Sequence, residues 1–306
     1  MTDATGHMEV YDAPSEKLLS SQHRDPLLRH LTRTIVAAAR RYAPPATSAG
    51  TTSDSTSPAA STQDGASITS MATATATATA TAMATAEGFA GAVIDIGCGV
   101  GRTSLALARA GYRVFGVDPA ARAVELAAST AAGDGLAERT TFVVGDATSD
   151  PPSEWIDRFG LAVCSEVIEH VAAPERVVEY ARRVLRPGGV FILTTPHDRH
   201  LWTAMETYAG HVTRFTADEL RALLWDFDIL EVGTEGFPFQ RIVMRTYDRL
   251  VRRRGGKHPF AAFGDGPAYR VATRVMPAPL RVDHWVRRLQ RGMMLVVVAR
   301  RRVIIA

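Results

Sequence analysis

A short apolar segment that runs directly into three closely spaced glycines constrains the fold of this chain more than any other feature. The stretch VIDIGCGVG covers residues 93–101 and contains Gly97, Gly99 and Gly101. Glycine lets the backbone turn sharply and lets a ligand approach the main chain. The helix predicted over Thr103–Ala110 would direct free N–H groups to the same place. This order predicts the first unit of a ligand-binding α/β sheet.

Strand-like and helix-like segments alternate along residues 90–235. Six strands are predicted there, over Val93–Ile96, Arg113–Val117, Thr141–Val144, Leu161–Ser165, Val190–Thr194 and Asp228–Val232. Helices are predicted between them, over Thr103–Ala110, Arg122–Thr130, Pro174–Leu185 and Asp218–Leu224. The apolar segment Met293–Ala299 adds a closing strand. The pattern predicts a doubly wound, Rossmann-like, seven-stranded and mostly parallel sheet with helices on both faces.

Composition divides the chain into four regions. Residues 1–43 form an N-terminal region with a cap helix over 24–43, and residues 44–88 are an Ala/Thr/Ser-rich insertion. The insertion is expected to be disordered, because its side chains bury too little apolar surface to offset the entropy of ordering. Residues 89–235 are the predicted core domain. Residues 236–306 form a basic extension, with helices over 240–254 and 281–290, a loop over 255–268, and the closing strand.

Charge and cysteine content limit the class of protein. Residues 241–306 contain 16 of the 35 Lys and Arg residues but only 3 of the 32 Asp and Glu residues. This basic region could contact nucleic acid or an anionic membrane surface, or its arginines could simply be solvated. Two cysteines cannot build a disulfide framework. No transmembrane segment or secretory signal is apparent, so we expect a cytoplasmic protein.

Acidic residues follow the first three predicted strands. Asp95 lies within the first strand, Asp118 ends the second, and Asp146 follows the third. The spacing G-x-G-x-G differs from the dinucleotide fingerprint, and a carboxylate at Asp95 would repel a pyrophosphate while suiting a cationic ligand. A carboxylate at Asp118 can accept hydrogen bonds from ribose hydroxyls. The three acids therefore predict a ligand site at the carboxyl edge of the sheet.

VIDIGCGVG, GVD and GDA resemble the glycine loop and acidic positions of class I S-adenosylmethionine-dependent methyltransferases. The resemblance covers about residues 90–235 and implies S-adenosylmethionine as the cofactor. It implies that the three glycines approach the amino-acid end of the cofactor, that Asp118 holds the ribose and that Asp146 contacts the adenine. The implied cofactor-binding residues are Asp95, Gly97, Cys98, Gly99, Gly101, Asp118, Pro119, Asp146, Ala147 and Ser165.

A group of acids and a histidine follows the fourth strand. Glu166, Glu169 and His170 have the spacing i, i+3, i+4, so one helical turn would place them on one face. His211 lies in a later loop that could fold over the same edge. Together the four residues could bind a divalent metal. Alternatively His170 or His211 acts as a metal-free general base, with Glu166 nearby, or the group is purely structural.

The same segment resembles two kinds of methyltransferase. One is the small-RNA 3′-terminal 2′-O-methyltransferases, which hold a metal with an E-x-x-E-H segment and a later histidine. The other is the ubiquinone-biosynthesis O-methyltransferases, whose substrates carry vicinal aromatic hydroxyls. We therefore expect methyl transfer to an oxygen atom of a small-molecule acceptor. A metal-dependent RNA 2′-O-methyltransferase and a non-catalytic regulator that binds the cofactor are the alternatives.

Aromatic residues and one further histidine could complete a substrate pocket. The aromatic candidates are Trp202, Tyr208, Trp225, Phe237 and Phe239. Trp225 could equally pack in the core, because Leu220, Leu223 and Leu224 lie on the same predicted helix. His197 follows the fifth strand, where it could contact the substrate or lie exposed in a loop.

Overall fold

The computed structural model describes residues 25–45, 91–253 and 277–303. Apart from residues 44 and 45, the insertion predicted over 44–88 lies outside the described residues. The loop predicted over 255–268 also lies outside them. The described part contains a single seven-stranded sheet that is covered by helices on both faces.

The strand order of the sheet is β3-β2-β1-β4-β5-β7-β6. In chain order the strands are β1 (Ala92–Ile96), β2 (Arg113–Asp118), β3 (Thr140–Val144), β4 (Phe159–Ser165), β5 (Leu185–Pro196), β6 (Phe227–Glu235) and β7 (Met294–Arg301). Neighbouring strands are parallel except at β7, which is antiparallel to both β5 and β6. The predicted doubly wound, mostly parallel sheet is confirmed.

Most of the helices lie close to the bounds expected from the sequence, but the short helix Ala204–Tyr208 was not predicted. They are α1 (Pro26–Tyr42), α2 (Arg102–Arg109), α3 (Ala121–Gly133), α4 (Pro174–Val184), α5 (Ala204–Tyr208), α6 (Ala217–Leu223), α7 (Phe239–Arg253) and α8 (Pro277–Trp285). The bounds predicted for the last helix, 281–290, were wrong. Helix α8 begins before 281 and ends at Trp285, and a 3₁₀ turn follows at Arg287–Leu289. Prolines at 277 and 279 fit the first turn of a helix, where no backbone N–H is needed.

Both faces of the sheet are buried, as expected of a mostly parallel sheet. Ile94 and Phe191 belong to a core beneath α4 and α6, whereas Val93 and Ile192 belong to a core beneath α1 and α2. Neighbouring residues of one strand thus serve different cores, because side chains alternate across the sheet.

Helix α1 is attached to the second of these cores at a defined point. Asp25 caps its first turn by accepting hydrogen bonds from the N–H groups of Leu27, at 2.7 Å, and Leu28, at 3.1 Å. Its apolar face buries Leu31 and Ile35. Arg102, the first residue of α2, donates a hydrogen bond to the carbonyl of Leu28 at 3.1 Å. The N-terminal helix is therefore connected to the helix that follows the glycine loop.

Strand β7 brings a segment of the basic C-terminal region into the sheet, between β5 and β6. Its residues from Leu295 to Ala299 are fully buried or nearly so. The strand pairs with β5 from Val190 to Pro196 and with β6 from Phe227 to Glu235. The predicted return of the chain to the sheet is confirmed, and β7 shares the core of region 89–235.

Candidate active site

The glycine loop connects β1 to α2 with three residues in the left-handed backbone region. The φ angles are +69° at Gly97, +50° at Gly99 and +81° at Gly101. A Cβ at Gly97 would lie 2.3 Å from Val167 Cγ2, so this glycine is required for packing. A Cβ at Gly99 would meet no atom within 4 Å. Gly99 therefore faces open space and allows a ligand to approach the backbone.

Asp118 connects the end of β2 to this loop. Its Oδ2 accepts a hydrogen bond from the Gly99 N–H at 2.8 Å, and its Oδ1 accepts one from the Ala120 N–H at 2.9 Å. Burial raises the pKa of Asp118, although these two N–H groups counteract the effect. The two strand ends and the loop are thus fixed relative to one another by one carboxylate.

Asp95 lies behind the loop and is almost completely buried. Burial raises the pKa of Asp95 to about 6, although the Ser104 hydroxyl donates a hydrogen bond to its Oδ2 at 2.5 Å. The carboxyl therefore lacks full compensation for its charge, which a nearby positive charge would supply.

The remaining predicted cofactor residues lie around the same strand ends. Asp146 is exposed, and its Oδ1 accepts hydrogen bonds from the Thr148 N–H at 2.8 Å and hydroxyl at 2.7 Å. Pro119 is exposed, whereas Cys98, Ala147 and Ser165 are buried. Ser165 Oγ lies 3.0 Å from the Thr194 hydroxyl and 3.4 Å from an Arg102 nitrogen. Their assignment to the cofactor stays a prediction.

Glu169, His170 and His211 meet beyond the end of β4. Each offers a ligand atom, and these atoms lie within 4.8 Å of one another. The rings of His170 and His211 are perpendicular, with centroids 4.5 Å apart. The loop that carries His211 is held there because the Val212 N–H donates a hydrogen bond to the Glu169 carbonyl at 2.8 Å. The predicted approach of His211 to this segment is therefore observed. We call these three residues the β4 group.

The expectation that Glu166 shares one helical face with Glu169 and His170 was wrong. Glu166 has φ of +61°, and the only helical turn in the segment is the 3₁₀ turn Ile168–His170. Its Oε1 instead lies 3.1 Å from the Thr194 hydroxyl. Burial raises the pKa of Glu166 despite the nearby His211 and Arg102. Glu166 is thus a neighbour of the β4 group, but it contributes no atom to the set of ligand atoms that lie close to one another.

Two polar atoms of the β4 group are buried without a hydrogen-bond partner among the described residues: Glu169 Oε1 and His211 Nδ1. Glu169 Oε2, by contrast, accepts a hydrogen bond from the Thr195 hydroxyl at 3.0 Å. Burial and the negative charge of Glu166 raise the pKa of Glu169 well above its usual range. Buried polar atoms without partners are costly, so the arrangement fits a group that receives a proton or a cation.

Glu206 and Arg214 form an ion pair beside His211. The sequence did not indicate this pair. Glu206 Oε1 lies 3.6 Å from His211 Nδ1 and accepts a hydrogen bond from the Arg214 guanidinium. Burial alone would raise the pKa of Glu206, but His211 and Arg214 outweigh it and lower the pKa to about 2. Arg214 also donates a hydrogen bond to the His197 carbonyl at 2.5 Å. This buried ion pair joins the His211 loop to the end of β5.

Two other expectations for site residues were wrong. His197 is not exposed, since only 8% of its surface is accessible, and its Nδ1 lies 3.0 Å from the Gly292 carbonyl. Trp225 neither packs in the core nor lines a site at the strand ends, because 71% of its surface is exposed. Trp202 does approach His211, with ring centroids 6.5 Å apart. Phe237 and Phe239 lie beyond the end of β6, which is considered below.

A second group with the same composition lies at the end of β6. Glu235 accepts a hydrogen bond from His284 Nδ1 at Oε1, at 2.8 Å, and its Oε2 lies 3.2 Å from His30 Nε2. We call His30, Glu235 and His284 the β6 group. Its members are separated by 205 and 49 residues, so no local sequence pattern could have indicated it.

Comparison with known proteins identifies a family to which this fold and this glycine loop belong. Residues 68–230, more than half of the chain, match a family model described as a methyltransferase domain. The ubiquinone biosynthesis O-methyltransferase of Actinobacillus pleuropneumoniae serotype 5b is 33% identical over 108 residues, which are 35% of this chain and 46% of the relative. That of Rhizobium rhizogenes is 29% identical over 193 residues, which are 63% of this chain and 66% of the relative.

The chain spans about half the length of most of these curated relatives. Among solved structures, that of the [4+2]-cyclase SpnF has a TM-score of 0.48 and 24% identity, and the match covers 69% of this chain and 74% of that one. Within the described residues, none of the helices has the length and apolar character needed to cross a membrane.

The family match, together with the strand order and the glycine loop, confirms the resemblance to S-adenosylmethionine-dependent methyltransferases: the chain belongs to the methyltransferase domain family.

Proposed function

We propose that this protein transfers the methyl group of S-adenosylmethionine to an oxygen atom of a small-molecule acceptor. One observation carries the proposal. The Asp118 carboxylate holds the N–H of Gly99 at a loop that faces open space, at the carboxyl edge of the sheet. That edge is where open α/β sheets bind their ligands, and a carboxylate at the end of β2 suits the hydroxyls of a ribose.

The charge of the site favours a cationic cofactor. Asp95, Asp118 and Glu166 are acids near the glycine loop whose pKa burial raises. A positive charge bound beside them would stabilise their ionised forms. The sulfonium of S-adenosylmethionine supplies such a charge, and a dinucleotide would bring negative charge instead. Asp146 remains our candidate for the adenine, because its exposed carboxylate lies at the end of the next strand.

The β4 group is positioned to remove the proton of the acceptor. The acceptor oxygen forms a bond to the methyl carbon as the carbon–sulfur bond breaks, so the sulfur leaves as a neutral sulfide. The hydroxyl proton passes to an imidazole of the His170–His211 pair, because histidine is an effective proton acceptor near neutral pH. Glu206, whose Oε1 lies 3.6 Å from His211 Nδ1, would orient the His211 ring. Methyl transfer otherwise needs alignment of the three reacting atoms.

A divalent cation would fit the same group. Glu169, His170 and His211 offer a carboxylate and two imidazoles. In the described part of the chain, Glu169 Oε1 and His211 Nδ1 have no hydrogen-bond partner, although Glu206 Oε1 lies 3.6 Å from His211 Nδ1. Zinc and manganese accept such ligands. A bound cation would orient adjacent acceptor oxygens and favour ionisation of a hydroxyl. These three residues would hold it, while Glu166 would remain outside the ligand set.

The relatives support a small hydroxylated acceptor, since those cited are O-methyltransferases of ubiquinone biosynthesis. Transfer to RNA and a regulatory role without catalysis are the alternatives, and no specific observation at the site favours either. The basic C-terminal region is proposed as a contact for an anionic partner, which is developed in the next subsection.

A transfer assay with labelled S-adenosylmethionine tests the function. The acceptors are a catechol, a monohydroxylated aromatic compound and an RNA oligonucleotide with a free 3′ end, each with and without chelator. We expect label in the catechol, loss of transfer in Asp118→Ala, and normal transfer in Asp134→Ala, a matched change of an exposed acid. Label only in RNA would favour the alternative. Absence of transfer to any hydroxyl, with the cofactor bound, would overturn the proposal.

A further inference from the structure

A groove lies beyond the end of β6, away from the glycine loop. It has a volume of about 460 Å³ and is lined by Phe237, Pro238, Arg241, Ile242, Arg245 and Arg291. This volume falls within the range of ligand-binding clefts. The lining combines three guanidinium groups with apolar side chains, and none of the described residues that line it carries a carboxylate.

Among the described residues the arginines of the groove form no ion pair, although the negative charge of Asp198 acts on Arg241. Arg252 and Arg287, from the same two segments of the chain, do form ion pairs, with Asp248 at 2.7 Å and Glu231 at 2.6 Å. Burial and the positive charge of Arg245 lower the pKa of Arg241, with a smaller contribution from Arg291, and the negative charge of Asp198 opposes them only in part. A cluster of like charges is unfavourable unless an anion compensates it.

The beginning of α7 is not itself a binding site for an anion, because its first backbone N–H groups already have hydrogen-bond acceptors. The buried carboxylate of Asp283 in α8 accepts hydrogen bonds from the N–H groups of Phe239 and Gln240, both at 2.9 Å. The same contacts fix α7 against α8. Arg241 donates a hydrogen bond to the Arg291 carbonyl at 3.2 Å. The positive charges of the groove arginines thus remain without an ion pair in the described part of the chain.

An apolar face of α7 lies next to the arginines and is exposed. Phe239, Ile242 and Val243 have the spacing i, i+3, i+4 and so share a face, with 39%, 59% and 39% of their surfaces accessible. Gln240, the residue after Phe239, is buried. A helix with arginines beside exposed large apolar side chains is typical of segments that lie in the membrane interface.

We propose that α7 and its groove dock the protein onto an anionic membrane surface, with a lipid phosphate bound between Arg241, Arg245 and Arg291 and with Phe239 and Ile242 entering the boundary of the acyl chains. Guanidinium groups suit phosphate because they donate paired hydrogen bonds. The charge of region 241–306 complements such a surface, since its basic residues exceed its acidic residues by 13. This docking brings no requirement for a membrane-spanning helix, and it does not depend on methyl transfer.

Vesicle sedimentation with the full chain tests the proposal. The probes are vesicles of phosphatidylcholine alone and of phosphatidylcholine with 30% phosphatidylglycerol. We expect binding to the anionic vesicles, and a partition coefficient at least about 10-fold lower for Arg241→Glu/Arg245→Glu, because each basic residue near such a surface contributes appreciably to binding. The control Arg158→Glu/Arg176→Glu changes two exposed arginines by the same charge and should bind with less than about 3-fold loss.

Two further arms separate a lipid from other anions. Ile242→Ser should weaken vesicle binding without changing the net charge. Inorganic phosphate at about 10 mM should not displace the protein, because phosphate lacks an acyl chain. Circular dichroism of each variant establishes that it is folded. Equal loss in the groove and control variants, displacement by phosphate, or binding to an RNA oligonucleotide in place of vesicles would overturn the proposal.

Discussion

The β4 group and the β6 group have the same composition, one glutamate and two histidines, but they differ in how their polar atoms are satisfied. In the β6 group each oxygen of Glu235 faces one histidine, and Arg287 Nε lies 3.8 Å from Oε1. In the β4 group, Glu169 Oε1 and His211 Nδ1 have no hydrogen-bond partner among the described residues.

The electrostatic consequences have opposite signs. Burial would raise the pKa of Glu235, but the hydrogen bond from His30 and the charge of His284 lower it. The pKa of Glu169 is raised well above its usual range by burial and by Glu166. A carboxylate with a lowered pKa stabilises the fold, whereas one with a raised pKa is kept at an energetic cost. The β6 group therefore connects α1, β6 and α8. We propose that the β4 group, whose polar atoms are less well satisfied, serves the reaction instead.

The largest expected effect of breaking this comparison is on catalysis. His211→Ala should lower kcat by a factor of about 10² to 10⁴, because it removes one imidazole of the proposed proton acceptor. His284→Ala should change kcat by less than about 3-fold, since His284 lies in the β6 group and contributes mainly to stability. Steady-state kinetics with labelled donor measures both. Equal losses in the two variants would show that the two groups do not differ in function.

The next effect is on stability. Glu235→Gln should lower the free energy of unfolding by about 3 kcal/mol, because a buried charged partner of two histidines is removed. Glu169→Gln should change it by less than about 1 kcal/mol, since a group with a raised pKa resembles the neutral amide. Urea unfolding monitored by circular dichroism gives both values. A larger loss for Glu169→Gln than for Glu235→Gln would contradict the comparison.

A smaller effect concerns pH. Because the pKa of Glu235 is lowered in the folded protein, its contribution to stability is present above the unfolded pKa and is lost as the pH falls through the folded value. Below about pH 5 the wild type should therefore lose stability more steeply than Glu235→Gln. Unfolding curves between about pH 3 and pH 7 measure the difference. Parallel curves would mean that Glu235 does not carry this linkage.

The sequence predicted those parts of the fold and site that depend on residues close together in the chain. The apolar segment 93–96, the glycines that follow it and the acids at strand ends indicate the sheet and its ligand edge, because a parallel strand and its loop are local patterns. The apolar segment Met293–Ala299 likewise indicated a strand.

The remaining features depend on contacts between distant residues. Nothing local places β7 between β5 and β6, and Glu206 acquires its role from contacts with Arg214 and His211. The left-handed backbone at Glu166 removes it from the face that helical spacing predicted. Trp225 shows the same limit, because an apolar helix face in the sequence does not reveal where the core ends.

The most direct test of the central claim is calorimetric titration with S-adenosylhomocysteine, the neutral product of the donor. The account predicts one site per chain in the wild type and in Glu235→Gln. It predicts binding at least about 100-fold weaker in a folded Asp118→Ala variant, because that change removes both the ribose acceptor and the hydrogen bond that fixes Gly99. Absence of heat with the folded wild type, or unchanged affinity in Asp118→Ala, would contradict it.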